Sequence, residues 1–332
     1  MLDKRFIREH PDEVEAAVRV KGINLDVDEL LDLDRATRGL QHEVDQAQAQ
    51  RKASSKEYAQ ASEERRAQLK IENKELDEHL KALREQLAAT TEQLNALMLL
   101  TPTIPWPGAP VGPDESANIV IRTVGTPPEF GFRPLDHVEL LEKRGWADFT
   151  RARKVSGERA YTLISDLVLL ERAVHSYALD LLRDKDFTLI SVPSLVRQEA
   201  LIGTGMFPAH REETYSIPAD DLFLAGTAEV ALVGFHSGEI LDHKQLPFRY
   251  AGISPCFRRE AGAYGKDTKG LYRVHQFTKV EQVVFCVPDE EVAEKEHYAL
   301  LGNAEAVVQA LEIPYRVSIQ CTGEIEIGRA HV

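Results

Sequence analysis

Between Leu40 and Leu100 the sequence contains neither glycine nor proline, and no other stretch limits the fold so tightly. It is built from Ala, Glu, Gln, Lys, Arg and Leu, which favour the helix, so a long helical region follows from propensity alone. In its second half Leu76, Leu80, Leu83, Leu87, Leu94 and Leu97 repeat at alternating spacings of four and three, the seam of a coiled coil, with Thr90 at the remaining seam position. In its first half Leu40, Val44, Ala47 and Tyr58 keep that spacing while Arg51 and Ser54 interrupt it. Two such stripes pack as an antiparallel hairpin or run on as one rod. Ser62, followed by Glu63 and Glu64, suits the N-cap and acidic first turn of a second helix, which puts a hairpin turn near Ala61 and Ser62.

The helical region ends at Thr101-Pro102-Thr103-Ile104-Pro105-Trp106-Pro107-Gly108-Ala109-Pro110, because proline cannot continue a helix and restricts the residue before it. The expected organisation is a helical arm domain over 1–110 and a second domain over 111–325. In the second, a helix is expected around Leu167 to Leu182, then strands near Phe187 to Val192, Leu222 to Leu224, Phe248 to Glu260 and Tyr272 to Val287. An acidic helix from Asp289 to Leu311 and a strand at Tyr315 to Gln320 follow. Long consecutive strands without an intervening helix imply antiparallel pairing, so the fold class is α+β. Neither a P-loop nor a glycine-rich dinucleotide fingerprint occurs.

The formal net charge of -14 argues against holding nucleic acid by bulk positive potential, so any RNA contact must be local. Arg51, Lys52, Lys56, Arg65, Arg66 and Lys70 cluster around the expected hairpin turn. Solvated helix charges and a phosphate grip at the end of a projecting rod both account for them. Cys256, Cys286 and Cys321 are scattered, without zinc-type spacing or an even count for a disulfide frame, which fits a reducing cytoplasm. The charged start Met1-Leu2-Asp3-Lys4-Arg5-Phe6 does not read as an export signal, and no apolar run is long enough for a bilayer.

Two segments carry candidate chemistry. Phe257-Arg258-Arg259-Glu260 closes one strand, where Arg258 and Glu260 would share a face. After a Gly-rich charged loop, the next strand places Arg273, His275, Phe277, Lys279 and Glu281 on one face, with Tyr272, Val274 and Val280 opposite. Four strand residues span roughly 13 Å, which separates Arg273 from Phe277 by a distance suited to the phosphate and base ends of a nucleotide. Arginine donates to phosphate through a planar fork, and an aromatic ring offers a stacking face. An exposed hairpin with charges paired across its strands is the simpler alternative. The other segment is Leu224-Ala225-Gly226-Thr227-Ala228-Glu229-Val230, where Thr227 and Glu229 read as an ordinary helix cap and first-turn acid, or as ligands for the ammonium group of a small amino acid.

In order along the chain, several short segments resemble those of bacterial seryl-tRNA synthetases. In the first domain these are Met1-Leu2-Asp3, Ile7-Arg8-Glu9 with Pro11, Leu31-Asp32-Leu33-Asp34 and Arg51-Lys52-Ala53-Ser54-Ser55-Lys56. They continue with Val111-Gly112 and Asn118, Lys154-Val155-Ser156-Gly157, Gly203-Thr204-Gly205, Gly226-Thr227-Ala228-Glu229 and Phe257-Arg258-Arg259-Glu260. The resemblance implies an antiparallel coiled-coil arm joined to a class II catalytic domain that activates serine with ATP. The seryl group then passes to the 3′ end of tRNA(Ser), with selenocysteine tRNA a further candidate acceptor. On this resemblance Arg258 is catalytic, holding the α-phosphate and the serine carboxylate, and Arg259, Glu260, Arg273, the Val274 backbone and Phe277 join it around ATP. Thr227, Ala228, Glu229 and Glu281 would hold serine, and the six basic residues of the arm would hold tRNA. Pro193 and the helix before it would lie at a homodimer interface. Trp106 departs from the asparagine usual after Ile-Pro in the family linker.

Beyond Gly323 the family would supply further strands with an acidic ligand for Mg2+ and a third signature motif with an ATP-clamping arginine. Instead the sequence reads Glu326-Ile327-Gly328-Arg329-Ala330-His331-Val332, for which permitted codons include GAG ATC GGA AGA GCA CAC GTC, the start of a common sequencing adapter. The expectation is an incomplete catalyst whose 326–332 tail is not natural sequence. A paralogue that charges a carrier protein and a non-catalytic coiled-coil protein are the competing readings; the retained arm weighs against the first and the charged strand face against the second.

Overall fold

Side-chain caps open the N-terminal helices. Asp3 accepts from the Arg5 and Phe6 amides at the start of α1 (Lys4–Glu9), and Pro11 is the first residue of α2 (Pro11–Val20). Asp26 caps α3 (Val27–Gln60), and Ser62 caps α4 (Glu63–Leu100) through the Arg65 amide. The hairpin turn therefore falls at Ala61 and Ser62. The computed structural model describes residues 2–261 and 269–325. Two units are distinguished, residues up to Ile119 together with the segment after Ser318, and Val120–Ser318. Residues 326–332, assigned above to an adapter, lie outside the described residues.

In the first unit two apolar clusters hold the hairpin. Val44 and Ala47 of α3 meet Leu80 and Leu83 of α4, flanked by Leu40, Leu76 and Leu87. Leu94 belongs elsewhere: with Met98 and the flanking Leu97 it packs against Ile7, Val14, Val18, Leu25, Val27 and Leu30, so α1 and α2 cover the end of the seam. Toward the turn polar residues enter the seam, although Leu69 is fully buried between them and the turn. Arg51 bridges the helices to Asp77 with bonds of 2.7 and 3.2 Å. The buried Ser54 Oγ and Asn73 Oδ1 have no hydrogen-bond partner. Tyr58, expected in the seam, is exposed instead, and the Arg66 guanidinium lies over its ring. The segment after Ser318 returns to the linker, where the Cys321 amide donates to Asn118 Oδ1 at 2.7 Å.

The second unit contains β1 (Ile119–Val124), α5 (His137–Arg144), α6 (Phe149–Ser156), α7 (Asp166–Arg183), β2 (Thr188–Ser191), β3 (Leu195–Val196) and α8 (Gln198–Gly203). It continues through β4 (Ser216–Ile217), β5 (Leu222–Leu224), α9 (Glu229–Gly234), β6 (Phe248–Phe257), β7 (Gln276–Phe285), α10 (Glu290–Ala310) and β8 (Tyr315–Ile319). The strands β6 and β7 form an antiparallel ladder from Phe248↔Phe285 to Phe257↔Gln276. On its other edge β6 takes β2 in parallel, Thr188 facing Tyr250, a departure from the all-antiparallel expectation. The long crossover through α8, β5 and α9 supplies the chain length that parallel pairing needs. Antiparallel β3, β5 and β4 form a small sheet, and β1 pairs with β8. Leu182 of α7 and Phe187, just before β2, pack with Ala251, Val280 and Val284, which closes one face of the β6–β7 ladder.

Both central strands are shorter than expected, so Arg258–Glu260 and Tyr272–His275 lie outside them. The physical reason is local. Glu260 takes a left-handed φ of +53°, and the Arg259 amide turns away to the Glu213 carbonyl, so the ladder ends at Phe257.

Candidate active site

With one face of the ladder closed by α7, the other carries Phe277, Lys279 and Glu281 of β7. Opposite them on β6 stand Cys256, Ser254 and Gly252, a floor of small residues beneath three long side chains. At Gly252 a Cβ would come within 3.1 Å of Leu232 in α9, so glycine lets that helix approach the sheet. The approach brings the segment 226–229 to Glu281.

There the Thr227 hydroxyl, 2% exposed, donates to Glu281 Oε2 at 2.6 Å and accepts the Glu229 amide at 3.3 Å. The helix itself begins at Glu229, with Ala228 in helical conformation at the cap position and no side-chain cap bond. A cap needs only the acceptor half of this arrangement; the donated proton ties Thr227 to a carboxylate 54 residues away. Lys279 pairs with the same carboxylate oxygen. Ala228 is buried beside Thr227.

Arg258 leaves the end of β6 with its Nε donating to the Gly226 carbonyl at 3.3 Å and its guanidinium 5.4 Å from the centre of the Phe277 ring. A phosphate-type donor and a stacking face therefore touch. The neighbouring turn is braced by charge: Arg273 pairs with the Glu260 carboxylate, and Arg159 donates to the Glu260 carbonyl at 3.1 Å. Arg159 and Glu260 both have positive φ, a conformation costing an ordinary residue about 1–2 kcal/mol that these contacts offset. His275 Nδ1 donates to the Arg258 carbonyl at 3.0 Å. The strand-spacing argument for Arg273 does not apply, since it precedes β7; its pairing with Glu260 sets its place. Arg259 points elsewhere, donating to the Glu212 carbonyl at 3.2 Å. Val274 has its side chain buried.

Sequence reasoning did not single out Arg159, whose role depends on a backbone conformation that no motif announces. It also passed over a cleft of about 450 Å3 on the reverse face of the ladder, lined by Arg159, Tyr161, Tyr215, Phe257 and Gln276. Burial, with Glu171 adding to it, pushes the Tyr161 hydroxyl pKa up.

On the arm, three of the six basic residues are engaged within it. Arg51 joins the helices through Asp77, Arg65 pairs with Glu57 and Glu72, and Arg66 donates to the Tyr58 and Ala59 carbonyls. Lys52, Lys56 and Lys70 are exposed and form no ion pair among the described residues. Lys81 and Arg84 line a groove between α3 and α4 with Arg51 and Lys52, and Lys74 lines its continuation with Lys70. Their roughly heptad spacing along α4 was the available signal. Among the described residues no group of three or more His, Cys, Asp or Glu could hold a metal ion.

Comparison with known proteins places this geometry. Residues 1–105 match the seryl-tRNA synthetase N-terminal domain, and residues 212–330 match the class II tRNA synthetase core domain of the G, H, P, S and T types. A serine–tRNA ligase of Deinococcus radiodurans is 49% identical over 99% of this chain and 77% of its own length. One from Nocardia farcinica is 42% identical over 98% and 77%. The crystal structure of seryl-tRNA synthetase from Pyrococcus horikoshii complexed with ATP superposes with a TM-score of 0.87 at 36% identity, covering 98% of this chain and 78% of that one. With both domain types present in order and this degree of identity, the chain belongs to the seryl-tRNA synthetase family.

Proposed function

We propose that this protein activates serine with ATP and passes the seryl group to tRNA(Ser). The observation that carries the reading is the buried Thr227 hydroxyl held to Glu281 on the sheet face that also presents Phe277. The serine ammonium meets Glu281, with Thr227, Ala228 and Glu229 shaping the space around a side chain of one hydroxymethyl group. Arg258 neutralises charge while a serine carboxylate oxygen attacks the α-phosphorus; a new P–O bond forms as the bond to the leaving pyrophosphate breaks. Adenine stacks at Phe277 beside the Val274 backbone, Arg273 takes the outer phosphates, and Glu260 contacts the nucleotide while its carboxylate keeps Arg273 in place. Arg259 supports this group by securing the 212–213 segment behind Arg258. The acidic ligand that the resemblance implies for Mg2+ lies beyond Gly323, and among the described residues no cluster of three or more His, Cys, Asp or Glu stands in for it.

Lys52, Lys56 and Lys70 provide the local cationic surface for tRNA that an acidic chain requires, with Arg51, Arg65 and Arg66 holding the arm in shape for it. Exposed Leu169, Leu170 and Tyr177 on α7 and Leu189 on β2 support a homodimer contact before Pro193. No helix among the described residues is long and apolar enough to cross a membrane, which fits work in the cytoplasm. The test is pyrophosphate exchange with serine, alanine, threonine and glycine in parallel, in this chain joined to the remaining C-terminal part of the 49% identical Deinococcus radiodurans relative. Serine-dependent exchange is expected; exchange driven best by another of the four refutes the assignment.

A further inference from the structure

We propose that Lys279 is a positioning residue for the substrate ammonium, an inference that rests on the reading of Glu281 as its acceptor. Lys279 and Glu281 stand two residues apart on the same face of β7, and the lysine ammonium pairs with Glu281 Oε2. The Thr227 hydroxyl donates to that same oxygen at 2.6 Å. Two donors from different elements thus fix one oxygen, and Oε1 has no partner among the described residues. A carboxylate offers about four lone-pair sites over its two oxygens. Pinning Oε2 from the strand and from the 226–229 segment orients the carboxylate and leaves Oε1 to receive a third donor.

The surroundings distinguish this pair from a surface ion pair. Its side chains are 33% and 22% exposed, and the partner that shares the carboxylate is fully enclosed. Across the ladder from Lys279 stands Ser254, buried and oriented toward the Cys256 sulfur at 3.6 Å. That small neighbour leaves room for the lysine stem above it. Without a substrate, Lys279 supplies the counter-charge that a partly buried carboxylate requires. With one bound, the carboxylate serves two cations, one on each oxygen.

Lysine also repels an incoming ammonium, so orientation and repulsion oppose each other and the direction of the effect is decisive. The experiment titrates serine into the 332-residue chain by calorimetry, with a non-hydrolysable ATP analogue present, for the parent, Lys279→Met, Lys279→Gln, Lys279→Arg and Glu281→Gln. Loss of the oriented, charge-assisted contact is expected to raise the serine Kd about 10-fold in Lys279→Met and Lys279→Gln. Lys279→Arg should stay within about 3-fold of the parent, since it restores the donor. Affinity for the ATP analogue alone should not change in any Lys279 variant, whereas a merely structural role would weaken both ligands. Unchanged or tighter serine binding in both uncharged variants, with Glu281→Gln weakened, overturns the role of Lys279 alone. Unchanged binding in Glu281→Gln, or no serine binding by the parent, overturns the functional reading and this inference with it.

Discussion

Replacing Thr227 by valine keeps the shape of the side chain and removes only the hydroxyl, which isolates one contact. In the structure that hydroxyl is 2% exposed and donates to Glu281 at 2.6 Å. A hydrogen bond to a charged group contributes about 1.5–3 kcal/mol. Valine leaves no cavity to add to this, while the Glu229 amide loses an acceptor as well. The expected result is a loss of about 1.5–3 kcal/mol in the stability of the Val120–Ser318 unit, read by urea unfolding followed by circular dichroism. The serine Kd should rise roughly 10- to 100-fold, because Glu281 loses one of the two groups that orient it. Thr227→Ser retains the hydroxyl and should remain close to the parent in both measurements. If Thr227→Val unfolds at the parental urea concentration and binds serine within about twofold of the parent, the hydroxyl is a bystander and the site must be rebuilt without it.

Phe277→Ala should weaken ATP binding by about 1–3 kcal/mol through the lost stacking face while sparing serine, and Glu281→Ala should do the reverse; equal losses for both ligands in both variants refute the assignments. Changing Lys52, Lys56 and Lys70 together to alanine should weaken tRNA binding and flatten its salt dependence, read by filter binding from low to moderate salt. Arg51→Ala should instead lower the melting temperature of the arm, because it breaks the bridge to Asp77. Replacing residues 48–79 by a short glycine-serine turn, in the chain completed with the relative's C-terminal part, should preserve serine-dependent pyrophosphate exchange and remove tRNA affinity; retained affinity reassigns the arm as purely structural.

The arm was legible because its signals are local: propensity, seam spacing and the Ser62 cap act within a few residues of where they are written. Seam spacing cannot say which neighbour covers the seam, and for that reason Leu94 and Leu97 read as hairpin contacts although α1 and α2 claim them. The parallel partner of β6 was hidden for a related reason, since β2 lies a long crossover away in sequence. At the candidate site, alternation along the strand put Phe277, Lys279 and Glu281 on one face, and the ladder holds them there together. The strand ends were misjudged because positive φ at Arg159 and Glu260 is imposed by mutual contacts, which neither residue type favours by itself. Which basic residues of the arm were already engaged depended on carboxylates and carbonyls of the facing helix, and composition carries no record of those.

The polar end of the arm's seam has a mechanical consequence. Leucine packs the hairpin near α1 and α2, while around Ser54 and Asn73 the facing groups have unspent hydrogen-bonding capacity. Opening the turns around Ala61 and Ser62 therefore exposes one fully buried leucine, Leu69, whereas opening the root dismantles a cluster of eight buried residues. Amide hydrogen exchange should rise in steps from Leu94 toward Tyr58, following this gradient of local stability. An arm of this kind behaves as a lever with a stiff root and a yielding tip: the root fixes the direction in which it reaches, and the tip bends to the contour of what it meets.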